Sequence, residues 1–183
     1  KYLNRIRRER DFLWLYVRSR IHTCPSDLHL GCGRDRTDMC DIDLVKTPAT
    51  DYVLDAGRLP FPDDSIEKIE TYHMVEHVPR DNLGPMLSEW ARILEPGGEL
   101  TIELPDFDEV LHEYLETSDN EYTETLLRYI FGSQRFDSDY HYWGWNEKRL
   151  GQYLREHGFS NIERKEPTDN HAEEAPCMRV VAT

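Results

Sequence analysis

The stretch Leu28-His-Leu-Gly-Cys-Gly33 decides the fold that this chain is predicted to adopt. Leu28 and Leu30 alternate with a polar residue, as in a short strand that buries one face, and the two glycines let the backbone turn closely where that strand ends. A Gly-x-Gly turn by itself is weak evidence, because many ordinary loops contain one. The motifs that follow it along the chain make the pattern specific.

Strand-like and helix-like patterns alternate along the chain. Strands are predicted at residues 27–30, 38–42, 52–55, 66–73, 99–104, 159–163 and 178–182, and helices at 4–20, 81–94, 106–116, 121–131 and 146–157. This alternation predicts an α/β fold, namely a Rossmann-like, open and mostly parallel sheet of about seven strands with helices on both faces. We expect residues 1–24 to form a basic amphipathic N-terminal helix and residues 25–183 to form a single domain.

The charge of the chain argues against some classes of partner. Its 183 residues carry a net charge of −14 at pH 7, which disfavours a protein that wraps nucleic acid with a basic surface. Residues 1–20 are the exception, since seven Lys and Arg stand there against Glu9 and Asp11, a net charge of +5. We expect a solvated helix face in that segment, or a contact with a protein partner or a second copy of the chain. No apolar run approaches the ~20 residues that a membrane span needs.

The four cysteines favour a reducing environment. Cys24, Cys32, Cys40 and Cys177 contain no Cys-x-x-Cys pair. This spacing argues against a zinc site of the usual kind and against a disulfide framework. The cytoplasm is therefore the expected location.

Five further motifs follow the glycine turn in a fixed order. They are Asp41-Ile-Asp43, Leu54-Asp-Ala-Gly57, Leu59-Pro-Phe-Pro-Asp63, His73-Met-Val-Glu-His77 and Pro96-Gly-Gly98. The series resembles the class I S-adenosylmethionine-dependent methyltransferases, in particular the small type 11 group, over about residues 26–159. The resemblance implies methyl transfer from S-adenosylmethionine to an oxygen or nitrogen of a small-molecule acceptor, with a saccharide as the leading candidate. It also implies a cofactor half at about residues 25–105 and an acceptor and lid region at about residues 106–157.

The resemblance assigns a set of cofactor-binding residues near the carboxyl ends of the strands. They are Leu30, Gly31, Cys32, Gly33, Asp41, Ile42, Asp43, Asp55, Ala56, Leu59, Tyr72 and His73. Asp41 is the expected partner of the two ribose hydroxyls, because one carboxylate can accept both hydrogen bonds. Asp43 is the second choice, or it caps a turn. Asp55 is expected at the adenine, and Tyr72 and His73 at the sulfonium end.

The connection between the first two strands is unusually short. Only residues 34–40 separate Gly33 from Asp41, whereas the usual dinucleotide fingerprint places its acid ~20 residues after the glycines. Seven residues are too few for a full helix with flanking turns. The sequence therefore predicts that no helix N-terminus faces the cofactor here, which favours weaker binding.

Ala56 and Leu59 are expected to supply an apolar wall for the adenine.

Three residues are candidates for taking a proton from the acceptor, namely His141, Asp106 and His77. Asp106 directly follows the fifth predicted strand. His141 lies within Asp139-Tyr-His-Tyr-Trp-Gly-Trp145, whose aromatic rings are expected either to wall the acceptor site or to pack on the core as a lid. Glu76 and His77 equally fit a structural role that ties the next helix to the sheet.

Two other functions stay open at this point. His73-x-x-Glu76-His77 also matches the inverted zinc-protease motif, in which two histidines one helical turn apart bind the metal. Pro79, and the predicted strand that ends at His73, argue against the long helix that this motif needs, so no metal is expected. The short first connection and the basic residues 1–20 are also compatible with a degenerate methyltransferase fold that serves as a binding or scaffold module.

Overall fold

The computed structural model describes residues 26–136 and 138–183. The predicted helix at residues 4–20, and any partner contact through residues 1–20, lie outside the described residues. The described chain has seven strands, Asp27–Leu30 (β1), Cys40–Asp43 (β2), Tyr52–Val53 (β3), Ile66–Tyr72 (β4), Leu94–Pro105 (β5), Glu163–Lys165 (β6) and Cys177–Ala182 (β7). They form one sheet in the order β3-β2-β1-β4-β5-β7-β6.

The pairing of these strands confirms the predicted α/β fold. Strands β3, β2, β1, β4 and β5 are parallel neighbours. Strand β7 pairs antiparallel with both β5 and β6, so the sheet is mixed. The register aligns Leu30 with Ile42, which brings the end of β1 and the end of β2 to the same edge.

Four α helices lie within the described part of the chain, and their positions agree with the predicted ones to within one residue at each end. Their bounds are Arg80–Ile93 (α1), Phe107–Glu116 (α2), Asn120–Phe131 (α3) and Glu147–Glu156 (α4). Single 3-10 turns cover Val75–His77 and Asn170–Glu173. The predicted cap of α4 is confirmed, because the Asn146 side chain accepts a hydrogen bond from the backbone nitrogen of Arg149.

One face of the sheet carries the hydrophobic core. Alternate strand residues such as Leu28, Leu30, Ile69 and Ile102 are fully or almost fully buried and pack in one cluster with the apolar residues of α1 and α4. Trp90 of α1 lies in this cluster and donates its indole N–H to a backbone oxygen. Its burial removes a large apolar area from water and fixes α1 against the sheet.

The intervening strand residues make the other side of the sheet polar. Glu103 has no solvent exposure, and its carboxylate accepts the backbone N–H groups of Thr168 and Asp169 and a guanidinium N–H of Arg179. A buried carboxylate is costly unless its oxygens are fully bonded. This network therefore ties β5 and β7 to the loop that precedes the second 3-10 turn.

The first connection differs from a standard Rossmann unit in the way that the sequence predicts. Residues 31–39 form turns without a helix. Strand β2 begins and ends later than predicted, because it covers Cys40–Asp43 rather than residues 38–42. The spacing of the cysteines argued against a disulfide framework, but Cys40 is disulfide-bonded, whereas Cys32 and Cys177 are free and buried.

None of the helices in the described part of the chain is both long enough and apolar enough to cross a bilayer.

Candidate active site

The glycine turn lies directly over the end of β2. The backbone N–H groups of Gly31 and Cys32 both donate to the carbonyl oxygen of Ile42, and the N–H of Gly33 donates to Oδ2 of Asp43 at 2.8 Å. Gly31 and Gly33 have φ angles of +76° and +53°, a region that L side chains rarely adopt. The turn thus needs glycine at both positions for its backbone path.

Close packing adds a second reason for glycine at position 31. A Cβ atom there would lie 2.4 Å from Cγ of Met74, whereas a Cβ at Gly33 would meet nothing within 4 Å. Met74 belongs to the segment that directly follows β4. The end of β4 therefore packs on the glycine turn, while the space beside Gly33 stays open.

Asp41 and Asp43 have different environments. Asp41 has no exposure, and its oxygens bond Nδ1 of His29 at 2.9 Å, the backbone N–H of Thr37 at 3.0 Å and Oγ1 of Thr37 at 2.9 Å. Arg36 lies 3.5 Å from the same carboxylate. Asp43 ends β2 and is half-buried, and its carboxylate is held by two backbone N–H groups. Asp43 is therefore the acid that faces the glycine turn with access to solvent.

The residues after β3 also differ from one another in solvent exposure. Asp55 is exposed, and its side chain accepts the N–H of Gly57 at 2.9 Å. The carbonyl oxygen of Ala56 accepts the indole N–H of Trp90. Leu59 is fully buried in the core, as are Leu30 and Ile42. These three apolar residues belong to the packed core, and Ile42 reaches the glycine turn through its carbonyl oxygen.

A cavity of about 270 Å³ lies between the glycine turn and the polar side of the sheet. Its lining includes Gly31, Cys32, Tyr72 and Asp169. The hydroxyl of Tyr72 donates to Glu70 at 2.7 Å, and burial together with this bond raises the pKa of Tyr72 to about 12. Tyr72 thus stays protonated at neutral pH and presents its ring to the cavity.

His73 terminates β4 in a strained conformation, with φ of +47°. Its Nδ1 lies 3.2 Å from Oε1 of Glu76, and its Nε2 lies 3.8 Å from Sγ of Cys177. Burial by itself lowers the pKa of His73, but its bonds to Cys177 and Glu76 and the charge of Glu76 outweigh burial and raise the pKa to about 10. His73 is therefore a cation that neutralises the buried Glu76 carboxylate.

Glu76, His77 and His141 come together beyond the end of β4. One atom of each, a carboxylate oxygen or a ring nitrogen, lies within 4.8 Å of the other two. The imidazole rings of His77 and His141 meet edge to face with 4.7 Å between centroids. Glu76 is 2% exposed, and its Oε2 has no hydrogen-bond partner among the described residues. We call these three residues the Glu76 cluster.

Both histidines of the Glu76 cluster have a defined proton arrangement. Nδ1 of His77 bonds the carbonyl oxygen of Tyr140 at 3.0 Å, and Nδ1 of His141 bonds that of Tyr129 at 2.9 Å. A carbonyl oxygen can only accept, so each Nδ1 carries a proton, and the only ring nitrogen of either histidine that can offer a lone pair is Nε2. Burial lowers the pKa of His141 below its usual value, which keeps this ring neutral at pH 7.

The segment after α3 positions these groups. The backbone N–H of Tyr142 donates to the carbonyl oxygen of Glu76 at 2.9 Å, so residues 140–142 run alongside the turn that carries the Glu76 cluster. The aromatic residues of the segment 139–145 differ in solvent exposure. Tyr140, Tyr142 and Trp143 are exposed, whereas Trp145 is 1% exposed and packs in the core.

Asp106, another predicted proton acceptor, lies in a different environment. It is 2% exposed, and its Oδ2 bonds Nη1 of Arg164 at 2.6 Å. It lines a separate cavity near the start of α4, together with Asn146 and Lys148. The Asp106 carboxylate is therefore already paired with the guanidinium of Arg164. Of the three predicted proton acceptors, only His77 and His141 lie close together.

The inverted zinc-protease motif is not formed by this fold. That motif needs His73 and His77 one turn apart on a helix, but the helical segment here is the three-residue turn Val75–His77. The nitrogens of His73 point to Glu76 and Cys177 instead.

The motif around Glu76 fits a structural role as well as a chemical one, and no motif in the sequence points to a role for Cys177, Asp169 or His171. The last two lie beside His73, whose ring centroid is 4.3 Å from that of His171. Asp169 and His171 come from the polar loop before β7, about 100 residues after His73. No spacing rule links residues so far apart, so only the sheet pairing of β5 with β7 reveals the contact.

The chain was compared with known proteins. A family model described as a methyltransferase domain, of the type 11 group, matches residues 38–102. No curated protein matches the chain in sequence.

Several solved structures share the fold. A possible histamine N-methyltransferase from Thermotoga maritima has a TM-score of 0.59 at 18% identity, covering 99% of this chain and 95% of that one. The 1,6-didemethyltoxoflavin-N1-methyltransferase of Burkholderia thailandensis, solved with its substrate and S-adenosylhomocysteine, has a TM-score of 0.59 at 15% identity, covering 92% and 75%. A putative methyltransferase of Haloferax volcanii, in complex with the activator Trm112, has a TM-score of 0.54 at 18% identity, covering 92% and 86%.

Identities this low show a common fold, and the family match supplies the chemistry. The predicted resemblance is confirmed, and an enzyme is favoured over a scaffold module. Residues 38–102, about a third of the chain, match a methyltransferase domain of the type 11 group, and the whole described fold is similar to that of S-adenosylmethionine-dependent methyltransferases. Together these findings support an enzyme whose cofactor is S-adenosylmethionine.

Proposed function

We propose that this enzyme methylates a hydroxyl oxygen of a small polar acceptor of the saccharide class. The observation that carries the proposal is the Glu76 cluster, in which two imidazoles lie beside a buried carboxylate, directly after the strand β4. A hydroxyl acceptor needs such a proton acceptor, since its oxygen is a poor nucleophile while it keeps its proton. An unprotonated amine already carries a free lone pair.

The residues of the glycine turn fit the cofactor. The open space at Gly33 leaves room for a ligand, and Asp43 presents a half-buried carboxylate next to it. In this proposal Asp43, rather than Asp41, receives the ribose hydroxyls, because every oxygen of Asp41 is already bonded in the interior. Asp55 stands exposed at the end of β3, where it can reach the adenine.

The chemical step follows from these positions. Bound S-adenosylmethionine supplies a methyl group on a positively charged sulfur. The acceptor oxygen forms the new C–O bond with its lone pair while the electrons of the C–S bond stay on sulfur. The hydroxyl proton passes to a neutral imidazole of the Glu76 cluster. Because the sulfonium is already activated, the protein contributes mainly position and exclusion of water.

The saccharide class is supported by the exposed aromatic rings next to the Glu76 cluster. Tyr140 and Tyr142 flank His141, and Trp143 lies beneath Arg80 with 4.9 Å from the guanidinium carbon to the ring centroid. Aromatic faces with a polar rim suit the apolar faces and hydroxyls of a sugar ring.

The first test is a calorimetric titration with S-adenosylhomocysteine, followed by a methyl-transfer assay on matched sugars and amino sugars. We expect binding in the micromolar range, about −8 kcal/mol, and methylation of at least one sugar that has hydroxyls but no amine. Transfer to amino groups alone would contradict an oxygen acceptor, and an absence of binding would contradict the cofactor site.

A matched pair of glycine variants tests the glycine turn. Gly31→Ala meets both an unfavourable φ and Met74, whereas Gly97→Ala meets an unfavourable φ of +88° with open space around it. We expect both to lose about 1–3 kcal/mol of unfolding free energy, measured by urea denaturation. Only Gly31→Ala should also weaken S-adenosylhomocysteine, by roughly tenfold or about 1.4 kcal/mol. Equal affinities in the two variants would argue that this turn does not hold the cofactor.

A further inference from the structure

We propose that the Glu76 cluster binds a single divalent transition-metal ion such as Zn²⁺, and that this ion holds the acceptor hydroxyl during methyl transfer. The first part is independent of the reaction, and the second rests on the proposed function. The proposal departs from the sequence-based expectation that the chain binds no metal. Four features of the cluster carry it.

The first feature is an unsatisfied carboxylate oxygen. Oε1 of Glu76 bonds His73, but Oε2 is buried and has no partner among the described residues. A buried charged oxygen without a partner keeps its desolvation penalty uncompensated. A cation bound at Oε2 removes that cost.

The second feature is the orientation of the two histidines. His77 and His141 each donate Nδ1–H to a backbone carbonyl oxygen, at 3.0 and 2.9 Å. Metal-binding histidines typically donate their second ring N–H in this way, which fixes the tautomer and makes the other nitrogen more basic. Both rings thus hold an Nε2 lone pair ready for a ligand that is not a proton.

The third feature is the size of the site. The three ligand atoms lie within 4.8 Å of one another, while a tetrahedral Zn²⁺ with bonds of ~2.0–2.2 Å needs its ligands roughly 3–3.5 Å apart. Small rotations of the Glu76, His77 and His141 side chains bring the three ligand atoms to that spacing. Two imidazoles and one carboxylate favour Zn²⁺, Fe²⁺ or Co²⁺ over Mg²⁺ and Ca²⁺, which prefer oxygen ligands.

The fourth feature is the open side of the site. Three protein ligands leave at least one coordination position for an exogenous oxygen, as in catalytic rather than structural zinc sites. His77 and His141 are partly exposed, and Tyr140 and Tyr142, the sequence neighbours of His141, are exposed. When the ion occupies the Nε2 lone pairs of both histidines, it would replace the imidazoles as the group that activates the acceptor. It would lower the pKa of a bound hydroxyl, so that the proton leaves to solvent and the oxygen lone pair becomes available for the C–O bond.

The neighbouring cluster of His73, Asp169 and His171 is the natural comparison. Its atoms are also close together, but Oδ1 of Asp169 already accepts bonds from the backbone and the ring of His171. Within the described part of the chain, no buried side-chain oxygen or nitrogen of that cluster lacks a partner. It therefore supplies a matched control for histidine number and local charge.

The experiment measures metal binding directly, without turnover. Chelator-treated protein is titrated with Zn²⁺ by calorimetry and with Co²⁺ by visible absorption, and Mg²⁺ serves as the comparison ion. We expect one Zn²⁺ per chain, ligand-field bands with Co²⁺ and no binding of Mg²⁺ at similar concentrations. Glu76→Gln and His141→Ala should weaken Zn²⁺ by about 100-fold or more, whereas His171→Ala should leave its affinity within about twofold.

The possible outcomes separate this inference from the proposed function. Circular dichroism and thermal melting first establish that each variant is folded, and His141→Ala replaces Glu76→Gln if the buried substitution prevents folding. No Zn²⁺ binding by the parent protein, or an equal loss in His171→Ala, overturns the metal site. S-adenosylhomocysteine binding and methyl transfer by metal-free protein at the full rate would sustain the proposed function while overturning the role of the ion.

Discussion

Asp41→Ala is expected to destabilise the protein by about 3–5 kcal/mol, because at least two buried donors lose their acceptor, at about 1–3 kcal/mol each. The Asp41 carboxylate has no solvent exposure and joins β2 to His29 of β1 and to Thr37 of the first connection. Alanine would leave the His29 ring and the Thr37 N–H in the interior without their acceptor. For a chain of this length the loss corresponds to a fall in Tm on the order of 10 °C.

The measurement is urea denaturation followed by circular dichroism, with Asp41→Asn and Asp43→Ala in parallel. Asp41→Asn keeps one acceptor and should lose less than Asp41→Ala. Asp43→Ala should change the unfolding free energy by about 1 kcal/mol or less, because that carboxylate is partly solvated. A stability of Asp41→Ala within about 0.5 kcal/mol of the parent would show that Asp41 is not the buried tie between β1 and β2.

Asp43→Ala is expected to weaken S-adenosylhomocysteine by roughly 30-fold, about 2 kcal/mol, which is typical for losing a hydrogen bond to a charged group. The Asp43 carboxylate is fixed by the N–H of Gly33 at 2.8 Å and by the N–H of Val45 at 2.8 Å. These bonds hold the side chain at the end of β2 without using all of its acceptor sites. A ribose diol can therefore bind there at little ordering cost.

Two further variants isolate the cause of that loss. Asp64→Asn removes one negative charge at an exposed position before β4, at the opposite end of that strand from the glycine turn, and should leave the calorimetric affinity within about twofold. Asp43→Asn should fall between the parent and Asp43→Ala. If folded Asp41→Asn, rather than Asp43→Ala, loses the cofactor, the ribose contact belongs to Asp41 and the environment of Asp43 has been misjudged.

Asp41 and Asp43 also show how far the sequence could go. Both acids stand in one motif, two positions apart, so they face the same side of β2. The motif cannot tell which of them lies at the end of the strand. The predicted strand at residues 38–42 placed Asp41 next to its end, whereas β2 ends at Asp43. A shift of one or two residues lies within the usual error of predicted strand boundaries. Here it decides whether the ligand contact is assigned to Asp41, which is buried, or to Asp43, which lies at the end of the strand.

The Glu76 cluster illustrates a different limit. The sequence identifies Glu76 and His77 as neighbours in a motif and His141 as a polar residue among aromatic ones. Their meeting depends on the hydrogen bond between Tyr142 and Glu76, which joins segments 66 residues apart. The proton positions on the two rings depend in turn on the carbonyl oxygens of Tyr129 and Tyr140. Neither feature leaves a periodic signal in the chain.

The sequence alone determined the order of strands and helices, the glycine turn at the end of β1 and the absence of a helix in residues 31–39. These features are local, since alternation of apolar residues, glycine backbone freedom and chain length act over a few residues at a time. The tertiary structure decided which aspartate keeps access to solvent, which histidines meet and which buried oxygen lacks a partner. Those properties depend on burial and on hydrogen bonds between distant segments, which arise only when the sheet assembles.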